Sequence, residues 1–137
     1  AGLSGAALRF KSDATWADFN NDGRLDVVLA YDSYAGSAPY AEALQYFRQE
    51  GNGSFTNVTS SSGLSGYFAS VTVVKAADFN NDGCEDLVCF TRGGVANRLY
   101  KGNCHGYFTD GTSQSHIADG AAWCTGVAVA DFNGPRY

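Results

Sequence analysis

The sequence is poor in positive charge. Nine Lys and Arg stand against 14 Asp and Glu over 137 residues, for a formal net charge of -5. Nothing gathers the basic residues into a stripe, so the electrostatic footprint of a nucleic-acid binder is missing. No apolar run approaches the roughly 20 residues of a membrane span, so none is expected. Histidine is scarce, with only His105 and His116. The four cysteines, Cys84, Cys89, Cys104 and Cys124, contain no CxxC spacing. Together these speak against a zinc set. What remains is 45% hydrophobic and 17% charged. That balance belongs to a chain that folds, and the length suits a single domain spanning 1–137. The start at Ala1, with no signal-peptide pattern, is that expected of a mature or trimmed piece.

What the sequence has in plenty is repetition. "ADFNNDGRLD", ending at Asp26, returns as "ADFNNDGCED", ending at Asp86, with eight of ten positions unchanged. A shorter echo, "ADFNG", ends at Gly134. The leading aspartates, Asp18, Asp78 and Asp131, are spaced by 60 and 53 residues. Eight of the 14 acidic residues lie inside these motifs: Asp18, Asp22, Asp26, Asp78, Asp82, Glu85, Asp86 and Asp131. Carboxylates crowded in this way repel one another unless a cation neutralises them.

The surrounding text repeats too. "GLSG" occurs at Gly2 and at Gly63, and "LDVVLAY" (Leu25 to Tyr31) corresponds to "EDLVCF" (Glu85 to Phe90). "LQYFRQEGNGSFTNVT" (Leu44 to Thr59) matches "ANRLYKGNCHGYFTDGT" (Ala96 to Thr112). The order reads as strand, acidic loop, strand, variable loop, strand, Gly-rich turn, strand. "SVTVVKAADF" is rich in β-branched residues, and "DVVLAY" is an apolar run of strand length. "AEALQYF" (Ala41 to Phe47) holds good helix formers, but its short aromatic counterpart "ANRLYK" favours strand. Repeats of this size imply a solenoid or propeller. The expectation is all-β, with antiparallel four-stranded blades of a β-propeller type. Two full repeats, about 2–62 and 63–117, would precede a partial third at about 118–137.

With motif, following strand and Gly-Phe hairpin in the same order twice, the chain resembles the FG-GAP/VCBS repeats. Those build the blades of integrin-α-like β-propellers and of some fungal lectins. The resemblance implies propeller blades and calcium in the loops, and it leaves the ligand open.

The spacing D-x-N-x-D-G-x-x-D has its own logic. Calcium takes six to eight oxygens, and oxygens at alternate positions can wrap it, with glycine at the sharp turn. In the first copy Asp18, Asn20, Asp22 and Asp26 would offer side chains and Arg24 its carbonyl. In the second, Asp78, Asn80, Asp82 and Asp86 would do so, with the Cys84 carbonyl. Two calcium ions are therefore expected; magnesium suits such a cage less well. An EF-hand would need a glutamate where Leu29 and Cys89 stand, and flanking helices where strands are read. The alternative is a metal-free Asx-type turn, because Asp, Asn and Gly favour turns anyway. "DFNGPRY" lacks the later ligands, so no ion is expected in the third copy.

In an up-and-down meander the first–second and third–fourth loops share one end of the blade. That places Cys84 near Cys104, and Cys89 near Cys124 at the other end, giving two disulfides. The sequons at Asn52 and Asn57 are candidate glycosylation sites. With the even cysteine count they favour an extracellular or secreted protein. Trp16, just before "ADF", is expected to pack against the next blade. Ser113, Ser115, His116 and Asp119 lie close enough to suggest a catalytic set, but they match an inter-blade loop, so no enzyme is expected. The leading expectation is a secreted calcium-binding repeat protein with a structural or adhesive role. Its partners would be further blades of a longer chain, or copies of itself in a head-to-tail ring or filament. The alternative is a lectin, with glycans or extracellular proteins as ligands. The unpaired third first strand, around Thr125 to Phe132, motivates the assembly reading.

Overall fold

The computed structural model describes residues 10–32, 42–67, 69–92, 95–117 and 126–130. In it the alternating and apolar runs become two successive sheets. β1 (Phe10–Ala17), β2 (Asp26–Asp32), β3 (Leu44–Gln49) and β4 (Phe55–Asn57) form the first. β5 (Ser70–Ala77), β6 (Asp86–Arg92), β7 (Arg98–Gly102) and β8 (Phe108–Asp110) form the second. Both are antiparallel meanders in chain order. The "AEALQYF" stretch resolves to strand over Leu44–Gln49. A short helix, α1 (Thr112–Ser115), follows β8.

β2 and β6 lack any polar alternation because they are covered on both faces. Val28 and Ala30 face the second blade, and Val27 and Leu29 face the other way. In the second blade the relation is inverted, as stacking requires. Leu87 and Cys89, the counterparts of Val27 and Leu29, turn toward the first blade. One core therefore runs between the sheets, joining Val28, Leu44 and Tyr46 to Tyr67, Val71, Val74, Leu87 and Tyr100. At its centre Phe19, Tyr46 and Phe108 pack edge to face, with centroids 5.4 to 5.9 Å apart.

Polar groups of β1 meet unpaired N–H groups of β5. The Asp13 carboxylate accepts from the Val74 amide at 3.1 Å and from Lys75 Nζ at 2.8 Å. Thr15 Oγ1 accepts from the Ala76 amide at 3.1 Å. The register of both strands slips at equivalent places, around Ser12 and Thr72, and such bulges increase local twist. Gly63 has a structural requirement of its own. With φ at +82° and a would-be Cβ 2.2 Å from the Phe108 carbonyl oxygen, any side chain would collide.

One expectation needs correction. Trp16 does not pack between the blades: it pairs in register with Val27, on the face away from the second blade, and is 51% exposed. Its ring meets Phe55 edge to face, with centroids 6.0 Å apart. The side chain follows strand parity, and Thr15 and Ala17 occupy the inward positions. Of the leftover strand expected around Thr125 to Phe132, residues 126–130 are described, and they join no ladder among the described residues. They lie along the far face of the second blade, where Phe79, Val88, Phe90 and Leu99 border a cavity of about 590 Å³. A strand exists through a partner ladder, and no second strand of a third repeat is described beside this segment.

Candidate metal centres in the acidic loops

The loops joining β1 to β2 and β5 to β6 fold by the same bonds. Asp18 accepts the Asp22 and Gly23 amides at 3.0 and 2.7 Å. Asp78 accepts the Asp82 and Gly83 amides at 3.1 and 2.8 Å. Asn20 and Asn80 each donate to the following aspartate at 2.8 Å. Asp22 and Asp82 each accept the amide two residues on at 2.9 Å. Short side chains that reach a backbone N–H two to five residues ahead are what coil the loop. The tight curve places Asn21 and Asn81 at φ of 58° and 62° and Gly23 and Gly83 at 83° and 87°. Asn and Gly are the residues that tolerate this region.

The ninth-position acids behave differently from the others. Asp26 and Asp86 open β2 and β6 and are fully buried. Asp26 accepts the Gln49 amide at 2.9 Å and the Tyr46 hydroxyl at 2.8 Å. Asp86 accepts the Gly102 and Phe79 amides at 2.9 and 3.1 Å. Each fastens its loop to the third strand of its own blade. This anchoring role goes beyond the ligand role expected from the spacing, and its signal in the sequence is an acid heading an otherwise apolar strand. Among the described residues no three Asp, Glu, His or Cys side chains gather as a ready cage. The donor chemistry still fits a hard cation: both loops offer oxygens only, and a carboxylate oxygen that accepts one N–H keeps a further lone pair.

Charge is unevenly compensated. Burial raises the Asp26 carboxyl above its ordinary value, against the Gln49 and Tyr46 bonds and with some help from Asp22. Burial likewise raises Asp86, with Asp82 and Asp78 adding repulsion. Glu85 is raised by burial and then by Asp78 and Asp86. Asp22 goes the other way. Desolvation acts upward on it, but the Arg24 amide, the Asn20 amide and the Arg24 and Arg48 guanidiniums hold it low.

The loops are also tied to the neighbouring hairpins. Arg24 Nε donates to the Gln49 carbonyl at 3.2 Å, and its Nη2 meets Asp22 at 2.5 Å. In the second blade the same position is Cys84, joined to Cys104 by a disulfide with Cα atoms 4.9 Å apart. The hairpin bearing Cys104 reaches the first loop as well, because the Gly106 amide donates to the Phe19 carbonyl at 2.9 Å. The second expected disulfide is not made by Cys89, which is a free, buried thiol in the inter-blade core. It sits mid-strand on the inward face; Cys124 lies outside the described residues.

Asn52 and Asn57 are both exposed, and each side chain accepts bonds from the Ser54 or Thr59 amide and hydroxyl of its own sequon. Ser115 bonds back to the Thr112 carbonyl, and His116 is exposed. Asp119 and the third motif from Asp131 onward fall outside the described residues.

A family model described as FG-GAP-like repeat matches residues 18–89 and 78–134. The chain belongs to the FG-GAP-like repeat family. Both matched segments of this FG-GAP-like repeat protein begin on the leading aspartate of an acidic loop, Asp18 or Asp78. No curated protein and no solved structure matched the chain. The family and the two meanders together make this a β-propeller-type repeat protein. No helix among the described residues is long and apolar enough to cross a membrane.

Proposed function

We propose that this FG-GAP-like repeat protein is an extracellular module of propeller blades, stiffened by one calcium ion in each complete acidic loop, with a structural or adhesive role. One observation carries the reading. Two loops of the same oxygen-donor sequence adopt the same bonds at the same place in successive blades. Asp18, Asn20, Asp22, Asp26 and the Arg24 carbonyl would hold one ion. Asp78, Asn80, Asp82, Asp86 and the Cys84 carbonyl would hold the other. A bound ion supplies charge neutralisation and loop order. The stacked relation of the two blades supports further blades, from a longer chain or from neighbouring copies, against the apolar far face of the second. The disulfide and the two exposed sequons support an oxidising, extracellular setting.

Thermal melting with and without chelator tests the reading, because a ligand of the native state stabilises by mass action. Calcium is expected to raise the melting temperature. Asp22→Ala and Asp82→Ala are each expected to remove part of that rise. Identical melting in chelator and in millimolar calcium would refute it. A second reading, a carbohydrate-binding lectin, draws on the half-exposed Trp16 and Tyr107, which offer faces for sugar stacking. A glycan array separates the two, since a lectin gives a defined sugar preference.

A further inference from the structure

The two acidic loops are alike in backbone and unlike in charge. The first holds three carboxylates, Asp18, Asp22 and Asp26, and one guanidinium, Arg24, for a net -2. The second holds four, Asp78, Asp82, Glu85 and Asp86, and no basic residue, for a net -4. The difference lies in how each loop is fastened. Arg24 spans from Asp22 to the Gln49 carbonyl, so the tether of the first loop is itself a cation placed on a candidate ligand. The Cys84–Cys104 bond performs the same fastening with no charge. Other basic groups nearby do not restore the balance. Arg48, paired with Glu50 at 2.8 Å, adds positive charge on the side of Asp22 in the first loop, while Lys101 Nζ is directed to Gln114 at 2.5 Å.

We propose that Arg24 is a built-in counter-cation that weakens the first loop as a calcium site. The second loop, more negative and covalently braced, is then the tighter site and the first to fill. This rests on the calcium reading above. Ligand charge count and site rigidity are what tune calcium affinity in oxygen-donor loops, and here both favour the second loop. The protein would therefore take up calcium in two stages, filling the second loop before the first.

The test is calorimetric titration of calcium chloride into the chelator-stripped full chain at fixed ionic strength, with circular dichroism confirming that each variant is folded. Wild type is expected to show two steps separated by about tenfold or more. Asp82→Ala should abolish the tighter step and Asp22→Ala the weaker one. Arg24→Gln, which keeps a donor for the Gln49 carbonyl and removes the charge, should tighten the weaker step about tenfold. Arg24→Lys, which keeps the charge, should leave it within about twofold. Should either Arg24 variant fail to fold, Glu85→Gln provides the reciprocal measurement, a several-fold weakening of the tighter step. Two equal steps in wild type, loss of the tighter step in Asp22→Ala, or no change in Arg24→Gln would overturn the ranking and leave calcium binding standing. No uptake by any variant would overturn the calcium reading itself, and the ranking with it.

Discussion

Replacing Tyr46 with Phe removes one oxygen from the inter-blade core and leaves the ring. The ring should keep its edge contacts with Phe19 and Phe108, at 5.5 and 5.9 Å. The loss then falls on one bond, from the hydroxyl to buried Asp26 at 2.8 Å. A hydrogen bond to a charged group is worth about 1.5–3 kcal/mol. The second blade indicates which end of that range applies. Leu99 stands where Tyr46 does, and Asp86 is held there by two backbone amides. Asp26 has the Gln49 amide in the same role, so its remaining support is good and a loss of about 1.5–2 kcal/mol is expected. Urea unfolding should show a lower midpoint with an unchanged slope, since the buried area barely changes. A double-mutant cycle with Asp26→Asn isolates the pair, and a coupling near the single-mutant loss is expected. Coupling below about 0.5 kcal/mol would refute the view that Tyr46 sustains the buried acid at the root of the first loop.

Asp13 clasps the two blades. Its burial acts to raise its pKa, but bonds from Lys75, Val74 and Ala14 outweigh that and the net shift is downward. A lowered folded pKa stabilises above the unfolded value near 3.8 and is lost as pH falls through the folded one. Asp13→Asn should therefore flatten the acid limb of the stability profile below about pH 4, and an unchanged limb would refute the clasp. Burial pushes the Cys89 thiol up to about 12. It should resist thiol reagents at pH 8 in the native protein and react on unfolding; rapid native labelling would contradict the inward placement. Cys84 and Cys104 are 20 residues apart, so Cys104→Ser should cost about 2–4 kcal/mol, read as a lower urea midpoint. No shift would mean that the hairpin holds the second loop without the covalent bond.

Much of the fold was legible in the residues because a meander is local. Each strand pairs with its chain neighbour, so apolar runs, Gly-rich turns and the repeat itself are enough to order four strands. The acidic loops were legible for the same reason, since every bond that coils them spans at most five residues. The Cys84–Cys104 pairing followed from which loops share an end of a blade. What needed the tertiary structure was the direction of side chains across the stack. Trp16 and Thr15 are neighbours in sequence, and only the position of the second blade decided that Thr15 turns in and Trp16 out. Cys89 was counted with the disulfides because an even number invites pairing, yet parity sends it into a core where it packs as a small apolar group. Asp26 and Asp86 were read as ligands alone, and their burial against the third strand depends on a hairpin more than 15 residues away. The Arg24 carbonyl is legible from the loop spacing, but its guanidinium finds its partners, Asp22 and the Gln49 carbonyl, only when the third strand is in place. Local sequence thus determined the blades and their loops, because short-range bonding fixes them. Tertiary packing decided which faces meet and how each loop's charge is balanced, because those depend on groups that the chain brings together only on folding.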